Sequence, residues 1–248
     1  MSQIFKFPIN YTHNHYAFNA GASPRIVDNK CNDNDYRTYS TASNLVFQTY
    51  GKTRADTTAI THIWIKSKNV TSYSATPVTG MGTGAGLTGQ TIPPSQVING
   101  FQHDLQPLTL NASEVELVIT GTSPEIYEVM FLESIIDLEN DYTDVRPQRR
   151  DIGSNIRENI RGNSFKVGGL SDRYKHSTFF EAIFLPTSPT NGDAFIRALE
   201  ENDNFAFAED FERWPDRVYP AYISSQIDIQ YIGRLFNQRR VQFTIGEA

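Results

Sequence analysis

The chain holds a single cysteine, Cys31, among 248 residues. No internal disulfide can staple such a fold, so its stability must come from packing, and a reducing cytosol is a compatible place of synthesis. The Asn-X-Ser/Thr sequons at Asn10, Asn69 and Asn111 then carry no message beyond chance. No apolar run approaches the roughly 20 residues a membrane helix needs. The first residues, Met1 to Pro8, lack the apolar core and small-residue cleavage site of a signal peptide. Neither membrane insertion nor export through a leader is expected. A further lack is local: from Asn111 to Asp144 there is no Lys or Arg against nine carboxylates. From Arg146 to His176 the sign reverses, with eight basic side chains against three acids. Salt screens exposed charges over roughly 8–10 Å, so adjacent blocks of this kind act at contact range. They suit docking against other copies or a shaped partner, or pairing within the monomer.

What is abundant is aromatic. The 16 Phe, 12 Tyr and 2 Trp, set among much Thr, Ser and Asn, favour pleated sheets. Thr61 to Lys66 alternates, with Thr61, Ile63 and Ile65 on one face and His62, Trp64 and Lys66 on the other. Glu114–Ile119 and Ile126–Leu132 flank the turn signal Gly121-Thr122-Ser123-Pro124 and predict a hairpin. Leu45–Phe47 and Ser67–Ser74 add short strands. In the second half, Phe179–Leu185 predicts a strand. Thr190–Asp193 offers capping chemistry ahead of a short helix over Ala194–Glu201. Gln226–Tyr231 and Val241–Ile245 predict two more alternating strands, linked by Phe236–Arg240. The expectation is a mostly β protein of two β-domains: an N-terminal jelly-roll β-sandwich over 1–144, and a C-terminal β-domain with one short helix over 145–248.

Most candidate chemistry fails on context. Gly84-Ala85-Gly86-Leu87-Thr88-Gly89 matches the dinucleotide fingerprint, but Pro93-Pro94 follows where a helix must open. The run predicts a flexible loop, and no cofactor is expected. His13 and His15 could supply half a metal site and nothing completes it; Asp28–Asp35 is rich in oxygen donors but lacks the glycine and distal glutamate of a helix-loop-helix calcium loop. No metal is expected. No local signature marks a nucleophile, base and orienter. Glu209, Asp210 and Glu212 resemble a solvated turn, and the chain is expected not to be an enzyme. Arg146, Arg149, Arg150, Arg157 and Arg161 lie in a polar stretch without interleaved aromatics until Phe165, which disfavours nucleic acid. Arginine forks suit carboxylates at a protein interface equally well, and these five are the candidate interface residues.

Asn44–Phe47, Asp56–Ile65 and Asn69–Tyr73 resemble the discoidin-like, galactose-binding jelly rolls of phage tail proteins. Glu116–Ile119 through Tyr127–Leu132 looks like the closing strand pair of such a domain. Phe179–Phe184, the helix near Ala194, Phe205–Phe207 and Arg217–Tyr222 resemble the ring-forming β-domain of distal-tail or minor tail proteins. The order of the two domains is reversed relative to the usual distal-tail arrangement. The resemblance implies a structural protein of a bacteriophage tail or baseplate, located in the virion tail after synthesis in the host cytoplasm. It implies a homo-oligomeric, hexameric ring that docks neighbouring baseplate or fibre proteins, with no nucleic acid and no membrane insertion. The alternative is a carbohydrate-binding module for host-surface attachment, with Trp64, Tyr73 or Trp214 stacking on sugar rings.

Overall fold

The structure is a computed structural model that describes residues 3–7, 16–32, 37–50, 53, 55–137, 142–151, 155–158, 164–167, 174–184, 196–197, 199–201, 205–232 and 238–247; for Lys6, Ile232 and those of 135–176 it describes the backbone alone. The chain is mostly β and antiparallel, as expected, and among the described residues no helix reaches seven residues. None of those helices is long and apolar enough to cross a membrane.

The first strands are β1 (Gln3–Lys6), β2 (Ala17–Asn19), β3 (Ile26–Val27), β4 (Asn44–Gln48), β5 (Thr58–Pro77) and β6 (Gly82–Ala85). Next come β7 (Leu87–Thr91), β8 (Val97–Ile98), β9 (Phe101–Ala112), β10 (Glu114–Asp137), β11 (Tyr142–Asp151) and β12 (Asn155–Glu158). The last are β13 (Ser164–Val167), β14 (Tyr174–Phe184), β15 (Phe205–Ala208), β16 (Val218–Ile223), β17 (Asp228–Ile232) and β18 (Gln238–Glu247).

Two compact units emerge. The first comprises residues 3–137 together with 205–218, and the second 138–204 together with 219–248. The expected boundary at Val145 therefore falls inside β11, and the first unit also recruits a late segment. The charge reversal marks a change of composition along one strand, and strand pairing does not stop where composition changes.

The first unit is organised by a ribbon of its two longest strands. β5 and β10 pair antiparallel from Val115 opposite Pro77 to Leu132 opposite His62. The expected hairpin at Gly121–Pro124 is thus corrected: β10 runs straight through it, and its two halves pair with β5 rather than with each other. The turn residues serve instead as irregularities that bend the ribbon. Register shifts surround Gly121, and Asn69 and Ser123 take positive φ of 56° and 52°. A Cβ on Gly121 would collide with the Asn69 carbonyl oxygen, so only glycine lets the two backbones approach at the bend. Beyond the bend, β4 and β2 extend β10 on one side while β7 flanks β5. Before it, β9 flanks β5, and β1 and then β15 extend the far end of β10.

Bending brings the inner faces of both halves together as two layers of a sandwich. Ile63, Ile65, Val129 and Phe131 from one half meet Tyr73, Ala75, Val115 and Leu117 from the other in a single buried cluster. The outer face of the first layer is also covered: Trp64, Met130, Leu132 and Phe5 pack with Ala206, Ala208 and Val218. The alternation expected for Thr61–Lys66 is seen from His62 to Lys66; at Thr61 a register shift against β9 interrupts it, and Ile60 rather than Thr61 joins the cluster with Ile63 and Ile65.

The glycine run is not a loop. Gly82–Ala85 pairs with Leu110, Thr109 and their neighbours on β9, and Leu87–Thr91 pairs with Ala75–Ser72 on β5. The run therefore joins the edges of both layers. Gly84 sits at φ +112°, and a Cβ there would strike the Thr109 carbonyl oxygen. Glycine is needed for close strand passage, not for a pyrophosphate.

In the second unit, β14 lies between β11 and β18. Thr178, Phe180, Ala182 and Phe184 are buried and alternate with half-buried neighbours, opposite the buried Val241, Phe243 and Ile245 of β18. Thr178 and Tyr219 hydroxyls meet at 2.8 Å within this core. Residues 196, 197, 199 and 200 are helical, with Ile196 and Leu199 buried; the capping residues Thr190–Asp193 lie outside the described residues.

Candidate interaction site

Polar groups inside the first unit are paired in a way that ties the layers together. The Tyr73 hydroxyl, from β5 beyond the bend, donates to Asp104 Oδ2 of β9 at 2.7 Å. Gln106 Nε2 donates to Asp104 Oδ1 at 2.7 Å. Turning the Gln96 amide so that its nitrogen faces Asp104 adds a third donor at 3.0 Å. Burial holds the Asp104 carboxyl above the usual carboxylate range, while the Gln106 and Tyr73 bonds oppose that rise. Burial and the nearby carboxylate push the Tyr73 phenol up as well. Gln102 acts as a surrogate strand residue at the bend, accepting from Val70 N at 2.8 Å and donating to Val70 O at 2.7 Å. These contacts build the scaffold; their groups face the core.

On the outer face of the first layer, Trp64 and His103 stand with ring centroids 6.1 Å apart. Neither Trp64 Nε1 nor His103 Nδ1 has a hydrogen-bond partner among the described residues. Burial, with help from the nearby Lys66 ammonium and against the pull of Asp216, pushes the His103 imidazole down to about 4. It is therefore neutral at physiological pH.

The segment that covers this face ends in a turn whose outer side is open. Backbone bonds from Arg213 N and Trp214 N to Asp210 O, and from Arg217 N to Trp214 O, close it. Glu209 is buried, against the expectation of a solvated carboxylate, because Arg217 Nη1 reaches its Oε2 at 2.8 Å. The same guanidinium lies over the Trp214 ring, 4.4 Å from its centroid. Trp214 is 47% exposed, and Glu212 and Asp216 beside it are exposed.

In the second unit, β17 pairs with β18 and with no other described strand. Its alternation predicts one inward face, yet Asp228, Ile229, Gln230 and Tyr231 are all exposed, Ile229 to 39% and Tyr231 to 54%. Periodicity identified the strand and missed that side chains on both faces are exposed, with the Arg239 guanidinium of β18 lying over the Tyr231 ring at 5.2 Å.

The sequence-predicted residues are dispersed. Trp64 and Tyr73, the expected sugar platforms, are each 1% exposed; they are core residues, because strand alternation points each into a packed layer. Trp214 alone of the three offers a surface. Arg146, Arg149 and Arg150 lie on β11 and Arg157 on β12, where the backbone is described; Arg161 lies outside the described residues. Register sets Arg150 opposite Lys175 and Arg149 opposite His176. His13, His15 and Asp33–Asp35 also lie outside the described residues. Asp28 is engaged by Ser40 Oγ at 2.6 Å, and among the described residues no three His, Cys, Asp or Glu side chains gather as a metal site. The Glu209–Arg217–Trp214 stack was missed; its only sequence signal was four carboxylates and two arginines interleaved with one tryptophan between 209 and 217.

Comparison of the chain with protein-family models, with curated proteins and with solved structures finds no match in any of the three.

Proposed function

We propose that this chain is a structural component of a bacteriophage tail or baseplate, working by assembly into a ring and by docking neighbouring tail proteins. The observation that carries this reading is β17. An edge strand with apolar side chains exposed on it is a template for pairing with another chain, and proteins ordinarily blunt or cover such edges. Among the described residues β17 has no second strand partner and carries exposed Ile229 and Tyr231, an arrangement suited to a neighbouring subunit's strand adding to the sheet by main-chain bonds. The rigid, doubly packed first unit supplies a scaffold of the kind an assembly protein needs.

The test is native mass measurement of the purified protein beside an Ile229→Lys/Tyr231→Lys variant. Both positions are exposed, so the variant should keep the wild-type melting temperature while losing higher-mass species. An assembled variant indistinguishable from wild type would overturn the reading. A second reading, a carbohydrate-binding module, retains one supporting observation, the exposed indole of Trp214.

A further inference from the structure

The exposed strand β17 continues a buried face. Ile229 stands opposite Val241 and Tyr231 opposite Arg239 of β18, and Val241 in turn stands opposite Ala182 of β14. Residues directly opposite one another share a face of the sheet, so Ile229 lies on the side where Val241 and Ala182 are fully buried. Burial stops at β18: Ile229 is 39% and Tyr231 54% exposed. The other face of β17 is polar, with Asp228 and Gln230 exposed and Gln230 Nε2 donating to Asp228 Oδ2 at 2.9 Å. One apolar side and one polar side are the makeup of a strand inside a half-buried sheet. Edges are ordinarily blunted by Lys, Pro or a bulge. This strand has no Lys, no Pro and no register shift against β18.

The strand is also complementary to itself. Laid antiparallel on a second β17 about a two-fold axis through Gln230, Ile229 of each copy meets Tyr231 of the other, and the two Gln230 residues meet at the axis. Pairs of a β-branched with an aromatic side chain are among those that stabilise a sheet. The two Asp228 residues fall at opposite ends, four positions or roughly 13 Å apart along the strand, beyond the roughly 8–10 Å over which salt leaves exposed charges coupled. Other registers fit less well. A slip of one residue sets Gln230 opposite Ile229 or Tyr231, which mixes the faces. A slip of two leaves Ile229 or Tyr231 opposite a residue outside the strand. We propose that β17 is the docking site for β17 of a second copy of this chain, the two strands joining antiparallel about a two-fold axis at Gln230 so that two sheets become one. This pairing rests on the assembly reading and gives it a building block. The contact is isologous, the interface of two-fold pairs, so a ring assembled from it contains an even number of subunits.

Cross-linking of the full chain tests the register. Cys31 is the single cysteine and is buried, which leaves an introduced, exposed cysteine as the reactive thiol. Under mild oxidation Gln230→Cys should give a covalent dimer on a non-reducing gel, because self-paired Cα atoms stand about 4.5–5.5 Å apart, within reach of a disulfide. Ile229→Cys and Tyr231→Cys should each give none alone, since each lies two residues out of register with its own copy, and should cross-link when mixed. Glu212→Cys, exposed in the first unit, sets the rate of random collision, and reduced variants should melt with wild type. Gln230→Cys cross-linking no faster than Glu212→Cys, or equal cross-linking at 229, 230 and 231, overturns this pairing. If association is then still abolished by Ile229→Lys/Tyr231→Lys, assembly through β17 stands with an unlike strand as partner. Association untouched by that double variant, or a wild-type protein monomeric at every concentration, overturns both.

Discussion

Tyr73→Phe removes one oxygen atom from the interior of the first unit and leaves the ring in place. No cavity opens, so the cost is that of the lost hydrogen bond alone. That bond spans 2.7 Å to Asp104 Oδ2, with both residues essentially unexposed. Gln106 and the Gln96 amide serve Oδ1, so the phenol is the donor that Oδ2 loses. A hydrogen bond to a charged group contributes about 1.5–3 kcal/mol, and the expected destabilisation is about 2 kcal/mol. Urea unfolding should show a lower midpoint with an unchanged slope. Asp104→Asn keeps an acceptor for Tyr73 while discharging the buried site, and should cost less than about 1 kcal/mol at neutral pH. Asp104 has its folded pKa raised. The native state therefore binds its proton more tightly than the unfolded state, and the group's contribution is lost as pH rises through the folded value. The difference between wild type and Asp104→Asn should accordingly shift in favour of the variant as pH climbs from acid to neutral. The effects of the two substitutions should not add, since both residues share one hydrogen bond. A Tyr73→Phe protein within about 0.5 kcal/mol of wild type, below the usual range for such a bond, would refute the claim that this pair clamps the layers.

His103 should act with the opposite sign. Its folded pKa of about 4 lies below the ordinary 6.5, so the unfolded chain binds more protons between those values and stability falls as pH drops through the window, by about 3 kcal/mol in all. His103→Gln should flatten that limb of a stability-versus-pH curve, and an unchanged limb would show that another group is responsible. Gly84→Ala places a Cβ against the Thr109 carbonyl at a φ of +112° and should cost at least about 1–3 kcal/mol of backbone strain. A circular dichroism melt coincident with wild type would mean that the strand shifts freely.

Much of the fold was legible because burial imposes a period of two. Ile63 and Ile65 against Trp64, and Val241, Phe243 and Ile245 against Gln242 and Thr244, could be read as strands with assigned faces. What alternation does not encode is the partner. Gly121–Pro124 carries the chemistry of a turn, and only the presence of β5, long enough to pair on both sides of it, converts that turn into a bend. The glycine run read as a loop for the same reason, since its two pairing partners, β9 and β5, lie far away in sequence. Trp64 and Trp214 are indistinguishable as letters; their burial differs because the 205–218 segment covers one and presents the other. The arginine block was visible as charge, while its concentration at Arg150 and Lys175 required the β11–β14 register.

The β5–β10 ribbon also imposes a timetable on the chain as it is made. β5 leaves the ribosome first, and the strands that flank its one edge, β7 and then β9, follow before its partner on the other edge exists. Val115 can meet Pro77 early in β10, but His62 waits for Leu132. At synthesis rates of about 5–20 residues per second, one edge of a twenty-residue strand stays open for on the order of several seconds. During that interval the nascent protein offers neighbouring chains on the same message an identical, unpaired edge. Productive folding thus depends on keeping polysome-mates apart until residue 137 has emerged, and a pause between β9 and β10 is the point at which this molecule is most exposed to chaperones and to its own kind.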